Sequence, residues 1–410
     1  MNLFGWLKRS KTVSAQDPAL IEFFGGERNS YGVVVTPESA MRVAAVYACV
    51  RVLAEAVASV PLFLYRRNGD DKVKAIDHPL YRVMHDRPNP YQTAFEFRDQ
   101  LQTSLGLRGA AYCEILVTAR GKLQLIPLHP DTVEPKLMDD FSVAYRVWEK
   151  GRSRILLQDE VLRLTYMVKD GVTPVSPVTA QRDAIAGAIA SQEYTAGFFR
   201  NGGRPPGWLE HPSHFADDEK RRAFRAKFSE QFTGANTGQT PLLEQGIKYN
   251  AVTVTNEDAQ LMEMRKFSIA EIARIYRIPL VLLSETEKST SWGTGIEQFM
   301  LSYVTHTLRP WFVRWEQALS RDLLTEEEQE DHFFEFNIDA LLRADLLTRY
   351  RAYEIGRRGG WLSANDVRAR ENMNKIEDGD KYGDVNINAP KEPADPKADD
   401  PKADEDSKDE

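Results

Sequence analysis

Two histidines set three residues apart, in His211-Pro212-Ser213-His214, are the only close pair of metal-ligating imidazoles in the 410-residue sequence. The intervening proline makes this a loop, and no Cys-x-x-Cys accompanies it, so a solvated turn is favoured over a zinc-type site. Glu326-Glu327-Glu328, with Glu330 and Asp331, could attract a divalent ion, but an acidic run at a helix end reads more simply as a solvated loop. Asp139-Asp140 reads as a turn. There is no Gly-x-x-x-x-Gly-Lys-Ser/Thr phosphate loop, no Gly-x-Ser-x-Gly elbow and no His-Glu-x-x-His. Phosphate-loop ATPase, elbow-type hydrolase and zincin chemistry are therefore not expected. The chain does not read as an enzyme, and no cofactor or metal is expected.

Two other stretches have the chemistry of binding. Lys220, Arg221, Arg222, Arg225 and Lys227 cluster on one helical segment with Phe224 and Phe228. They make either a solvated face over an apolar stripe or a docking surface for an acidic partner or nucleic acid. The second stretch follows Leu283: Glu285, Thr286, Glu287, Lys288, Ser289, Thr290, Ser291 and Trp292 form a polar loop of mixed charge. It carries too many acids to hold phosphates tightly, though it could brush against them.

Elements must position these stretches, and composition bounds what those elements can be. Hydrophobic residues make up 42% of the chain, and with 25 glycines the apolar share is that of an ordinary globular protein. Length predicts more than one domain. The net charge is -8, from 53 basic and 61 acidic residues, whereas a protein that grips duplex DNA normally carries a basic surplus. Residues 391–410 hold nine acids and four lysines, so five of the eight net charges lie in a tail that repeats Asp-Pro-Lys-Ala-Asp and cannot bury a core. The folded body is thus nearly neutral. Cys49 and Cys113 sit in apolar stretches and read as buried thiols in a reducing compartment. No apolar run approaches the ~20 residues of a membrane span, and Leu3 to Arg9 reads as a docking arm rather than a signal peptide. The sequence reads as cytosolic.

Along the chain, Thr36-Pro37 opens a helix predicted to run to Ser59, and Asn68-Gly69 predicts a hairpin. Thr93 and Glu96 form a capping box for a helix stopped by Gly109. A period of two then predicts strands at 110–117, 122–128, 143–148 and 161–166, so the first 170 residues are α+β. Ser176-Pro177 starts an Ala-rich helix predicted to reach Arg200, roughly 37 Å long at 1.5 Å per residue. A compact α/β insert follows, with strands near 208, 242–243 and 249–254 and a helix at 217–232. A second rod is predicted from Thr255 to about 278, then a helix at 296–323 kinked by Pro310, a strand at 333–338, a helix from Asp339 to 358 and a short helix at Ser363.

An ordered series of motifs then resembles a known family. Arg87-Pro88-Asn89-Pro90, Leu107-Arg108-Gly109-Ala110-Ala111-Tyr112, Phe198-Phe199-Arg200-Asn201-Gly202, Arg265-Lys266-Phe267, Thr307-Leu308-Arg309-Pro310-Trp311 and Phe333-Phe334-Glu335-Phe336-Asn337 resemble the portal proteins of tailed bacteriophages, of the type in long-tailed phages with chain-mail capsids. The likeness runs from about residue 36 to 372. It implies an N-terminal arm (1–35), a wing (36–175), a stem helix (176–203), a clip (204–254), a second stem helix (255–282), a tunnel loop (283–295), a second wing part (296–372) and a C-terminal segment (373–410). It further implies a homo-oligomeric, dodecameric ring at one capsid vertex of the virion, assembled in the host cytoplasm. Double-stranded DNA would pass through it without sequence specificity. Partners would be the terminase large subunit, the major capsid protein and head–tail adaptors, with no membrane. The channel residues of that tunnel loop would be 285–292, and the basic cluster on the clip would receive terminase or adaptor. Another structural virion protein, or a metal-dependent nuclease using the acidic clusters, are the competing readings.

Overall fold

The computed structural model describes residues 30–69, 71–200, 207–210, 217–230, 246–251, 257–284, 294–338, 346–371 and 373–382. The chain divides into two compact units, Met1–Leu341 and Leu342–Glu410.

The first unit opens with α1 (Pro37–Ala40), capped reciprocally by Thr36 and Ser39. The predicted single helix to Ser59 is instead two. Val43 is extended, and α2 (Ala44–Ser59) starts afresh after it. The turn lets Ala40, Val43 and Val46 all enter the core. β1 (Leu62–Asn68) and β2 (Asp71–Lys74) form the predicted hairpin around Gly69, whose φ is +63°. α3 (Pro79–His85) was not expected; the His78 ring accepts the Leu80 N–H as its cap. α4 (Ala94–Arg108) begins with the Thr93–Glu96 capping box and ends at Gly109 in the left-handed region. It packs along α2.

β3 (Ala110–Val117) is the centre of a sheet ordered β4–β3–β8, with β4 (Leu123–Leu128) and β8 (Val161–Thr165). Its alternation is real, but both faces are buried. Ala111 and Cys113 join the main core, while Ala110 and Tyr112 join a second one with Val133, Tyr145, Val147 and Val161. That second core is roofed by a meander absent from the sequence reading in two of its three strands: β5 (Val133–Leu137), β6 (Val143–Glu149) and β7 (Arg152–Leu156).

The first long rod is also broken. α5 (Pro177–Ala180) buries Pro177 and Val178 and packs on α4, and the chain redirects at Gln181 before α6 (Arg182–Arg200). The uninterrupted rod is therefore 19 residues, about 28 Å. In the insert, β9 (Gly207–Glu210) pairs antiparallel with β10 (Lys248–Ala251), and α7 (Asp218–Glu230) lies between them in sequence. The strand predicted at 242–243 lies outside the described residues. α8 (Glu257–Tyr276) returns alongside α6 and α2; its predicted cap, Thr255, is outside the described residues. Arg277, at φ +55°, and Pro279 end it.

After the loop come α9 (Thr294–Ser302), a π-helical turn (Tyr303–Leu308) and α10 (Arg309–Leu323). The irregularity expected at Pro310 therefore lies one turn earlier. Pro310 sits in the first turn of α10, where a missing N–H is tolerated, and the Arg309 N–H reaches back five residues to Val304 O. Trp311, Phe312, Trp315, Ala318 and Leu319 form the buried stripe of α10 against β8 and β11. The indole of the fully buried Trp315 donates to Gln102 Oε1 at 2.9 Å. α11 (Glu328–Asp331) leads into β11 (His332–Phe336), which pairs with β1 in the order β11–β1–β2.

The second unit contains α12 (Leu346–Arg358) and α13 (Ala364–Arg370), the latter with a Ser363–Asp366 capping box. Asn365 is buried and exchanges two hydrogen bonds with the Ile376 backbone, while Glu371 pairs with Arg349. Asp339 and the acidic tail lie outside the described residues.

Candidate channel and docking surfaces

The insert presents the basic cluster on a short solvated helix. Asp217 Oδ1 accepts the Lys220 N–H at 2.7 Å, which starts α7 where the macrodipole favours an acid. Lys220, Arg221, Arg222 and Arg225 are all exposed; Lys227 lies on the same helix. Two of these cations already have acids one turn away: Arg221 reaches Asp218 at 3.0 Å and Lys220 reaches Asp217 at 3.8 Å. Exposed pairs of this kind contribute on the order of 0–1 kcal/mol and exchange readily, so they leave the helix face available to an acidic partner. Five cations stand against four acids (Asp217, Asp218, Glu219 and Glu230) in this segment, so it is net cationic by one charge.

The polar loop is bracketed by rigid structure at both ends. Before it, Ile278 N donates to Ala273 O at 2.9 Å, and the turn Leu280–Leu283 closes at Ser284, φ +62°. The Thr307 hydroxyl, on the π turn, donates to Arg277 O at 2.7 Å and ties the end of α8 to the helix that follows the loop. Residues Glu285, Thr286, Glu287, Lys288, Ser289, Thr290, Ser291 and Trp292 lie outside the described residues. What the structure supplies is their frame, with Ser284 and Thr294 as its two ends.

Among the described residues no group of three or more His, Cys, Asp or Glu side chains could hold a metal, and no helix is long and apolar enough to cross a membrane. His211 and His214 are outside those residues. The acidic run splits its tasks: Glu328 Oε2 accepts from the Thr325 N–H and Glu328 Oε1 meets His78 Nε2 at 3.0 Å. Both cysteines are free and buried; burial pushes the Cys49 thiol up to about 12 and also raises the Cys113 thiol well above its ordinary value.

Two buried arginines escaped the sequence reading. Arg98 has 6% of its surface exposed and, among the described residues, no carboxylate partner; it donates to Ala58 O and Met84 O, the last-turn carbonyls of α2 and α3. Desolvation lowers its pKa to about 10. Arg314, half-buried, stacks over Tyr166 and Trp311 at 5.4 and 5.3 Å, which fixes the start of α10 beside the π turn. Arg98 has no local signal beyond residue type, because its acceptors lie 40 and 14 residues away; Arg314 meets Trp311 one turn back, but Tyr166 is distant in sequence.

A family model described as phage portal protein matches residues 44–372. The chain is 30% identical over 349 residues to the portal protein of Enterobacteria phage HK97, covering 84% of this chain and 82% of that one. It is 30% identical over 378 residues to a probable portal protein of Streptomyces phage phiC31, covering 89% and 82%. In structure it is similar to a chain in the neck of an empty gene transfer agent particle, with TM-score 0.55 and 19% identity over 87% of this chain and 94% of that one. An HK97 family phage portal protein from Corynebacterium diphtheriae gives TM-score 0.54 and 18% identity, over 74% of this chain and 96% of that one. At these identities the structural likeness is one of fold. The sequence match covers both long helices, the insert between them and the helix broken by the π turn, so the chain belongs to the phage portal protein family, in its HK97 type.

Proposed function

We propose that twelve copies of this chain form a ring at one vertex of a phage capsid, and that double-stranded DNA enters and leaves through its centre. The observation that carries this reading is the continuous family match over residues 44–372, in which α6, the insert and α8 follow one another as rod, head and rod. In this reading α6 and α8 are the stem, residues 204–254 the clip, and 36–175 with 296–372 the wing. The role is mechanical and non-catalytic. A duplex that must slide is served by a body of low net charge, because each fixed phosphate contact adds salt-dependent affinity that would hold it in place.

The loop 285–292 lines the channel, carried between Ser284 and Thr294 on rigid flanks. The exposed cations of α7 receive the terminase large subunit during packaging and a head–tail adaptor afterwards, and the major capsid protein surrounds the wing. Deleting residues 285–293 tests the channel assignment. Rings should still assemble, since the flanks are held by their own hydrogen bonds, but heads should fail to fill with DNA or to retain it. Normally filled heads from the deletion would refute the assignment of the loop to the channel.

A further inference from the structure

Beside the π turn, the end of α8 and the start of α10 border a cavity of about 190 Å³. Leu53, Tyr166 and Trp311 are among its apolar walls. Among the described residues that line it, the charged ones are Arg277 and Arg314, and none is acidic. The space is several times the share of one water, about 30 Å³, yet below the ~300 Å³ at which sites for drug-sized ligands begin. It suits a small ion rather than a nucleotide or a peptide.

Specific local structure places each cation. Arg277 closes α8 at φ +55°, in the left-handed region where a helix end ordinarily takes glycine or asparagine. Its carbonyl accepts the Thr307 hydroxyl at 2.7 Å, which pins this strained residue to the π turn. An arginine kept there against backbone preference implies a use for its side chain. Arg314 comes from the start of α10. Its Nη1 donates to Pro310 O at 3.2 Å, and its guanidinium lies over Tyr166 and Trp311, whose stacked rings are 5.0 Å apart. A guanidinium has five N–H donors, so most of this fork is left for another acceptor. Burial lowers the Arg314 pKa, Tyr166 opposes that shift, and the Arg277 charge adds to it. Two like charges beside one partly dry cavity repel, and an anion between them replaces that repulsion by two attractions.

We propose that Arg277 and Arg314 hold a small tetrahedral oxyanion, inorganic phosphate, in this cavity. Each guanidinium donates charge-assisted N–H bonds to the ion's oxygens, the kind of contact in which arginine is strongest. The bound ion then clamps the end of α8 to the start of α10 across the π turn. The inference does not depend on how many copies assemble.

The test titrates the full chain with inorganic phosphate at constant ionic strength and follows broadening of the phosphorus resonance. Binding should saturate at one ion per chain. Arg277→Gly removes one cation and suits the left-handed backbone, so this variant should fold as well as the parent yet bind phosphate tenfold or more weakly. Arg314→Gln should abolish saturation, whereas Arg314→Lys should keep part of it, since the charge stays and the fork is lost. Phosphate should also raise the thermal unfolding midpoint of the parent above that in chloride, and the rise should vanish in Arg277→Gly. Absence of saturable broadening in the parent would overturn the proposal. Equal affinity, or an equal rise in midpoint, in the parent and in Arg277→Gly would overturn it too, because the ion would then sit elsewhere. A parent that ignores phosphate while both substitutions stop assembly would overturn it in favour of a contact between copies.

Discussion

Gly109→Ala isolates the joint on which the long helices depend. Gly109 closes α4 at φ +75°, donating to Leu105 O at 3.0 Å and accepting from Tyr166 N at 2.8 Å. A Cβ there would overlap the Val175 carbonyl oxygen and come within 2.7 Å of its carbon and 3.2 Å of Ser176 N. These are backbone atoms, so relief requires moving the strand that enters α5. That strand is held by Val175 N to Met167 O at 2.8 Å and by the Ser176 hydroxyl to Leu107 O at 2.7 Å. Losing the two bonds costs about 1 kcal/mol each, strain from overpacking adds about 1–3, and the left-handed backbone adds about 1. The total is about 4–6 kcal/mol. Gly121→Ala is the control: its φ is +72°, yet nothing lies within 4 Å of the added carbon, so only the backbone penalty of about 1 kcal/mol remains. Urea unfolding of the purified full chain, compared by midpoint at constant slope, reads both. Equal shifts, within about 0.5 kcal/mol, would refute the claim that contact with Val175 makes this joint rigid.

Three further outcomes are expected. Cys49 and Cys113 should resist thiol reagents at neutral pH and react only on unfolding, which a timed titration with and without urea checks. Because the folded Cys49 pKa is raised from 9.0 to about 12, the folded state holds its proton in that interval while the unfolded state loses it. The contribution is fully present below pH 9 and is lost as pH rises toward 12; a stability that increased across that window would contradict it. Arg221→Glu with Arg222→Glu should weaken motor docking while leaving assembly unchanged, read by packaging in extracts and by sedimentation. Wild-type packaging would return these residues to a plain solvated face.

What the sequence disclosed and what it hid divide along chain distance. The Asn68-Gly69 hairpin, the Thr93–Glu96 box with Gly109, and the Ser363 cap are local devices, and each forms where its residues stand. The α3 helix had the same kind of signal in His78-Pro79. β5 and β7 were harder to see. Pro135 interrupts one, and Arg152-Ser153-Arg154 gives the other a polar look that Arg154 resolves by pairing with Glu114 of β3 and Glu149 of β6. Arg98 reads as a surface residue of α4 until two distant helix ends supply its acceptors. The π turn is similar, since the Thr307 contact with Arg277 spans thirty residues. Of the candidate site, the exposure of Lys220, Arg221, Arg222 and Arg225 was legible from an amphipathic charge pattern. The pairing of Arg221 with Asp218 and of Lys220 with Asp217 was equally local, whereas the frame of the polar loop is built by contacts between segments.

The central claim is that this chain works as a ring around DNA. Electron microscopy of the purified full chain, with rotational symmetry counted from particle averages, tests it most directly. Closed twelve-fold rings are expected, with an open central hole wide enough for a duplex, stems parallel to the axis and the clip at one end. Particles that remain monomers or dimers across the salt range of capsid assembly would contradict it.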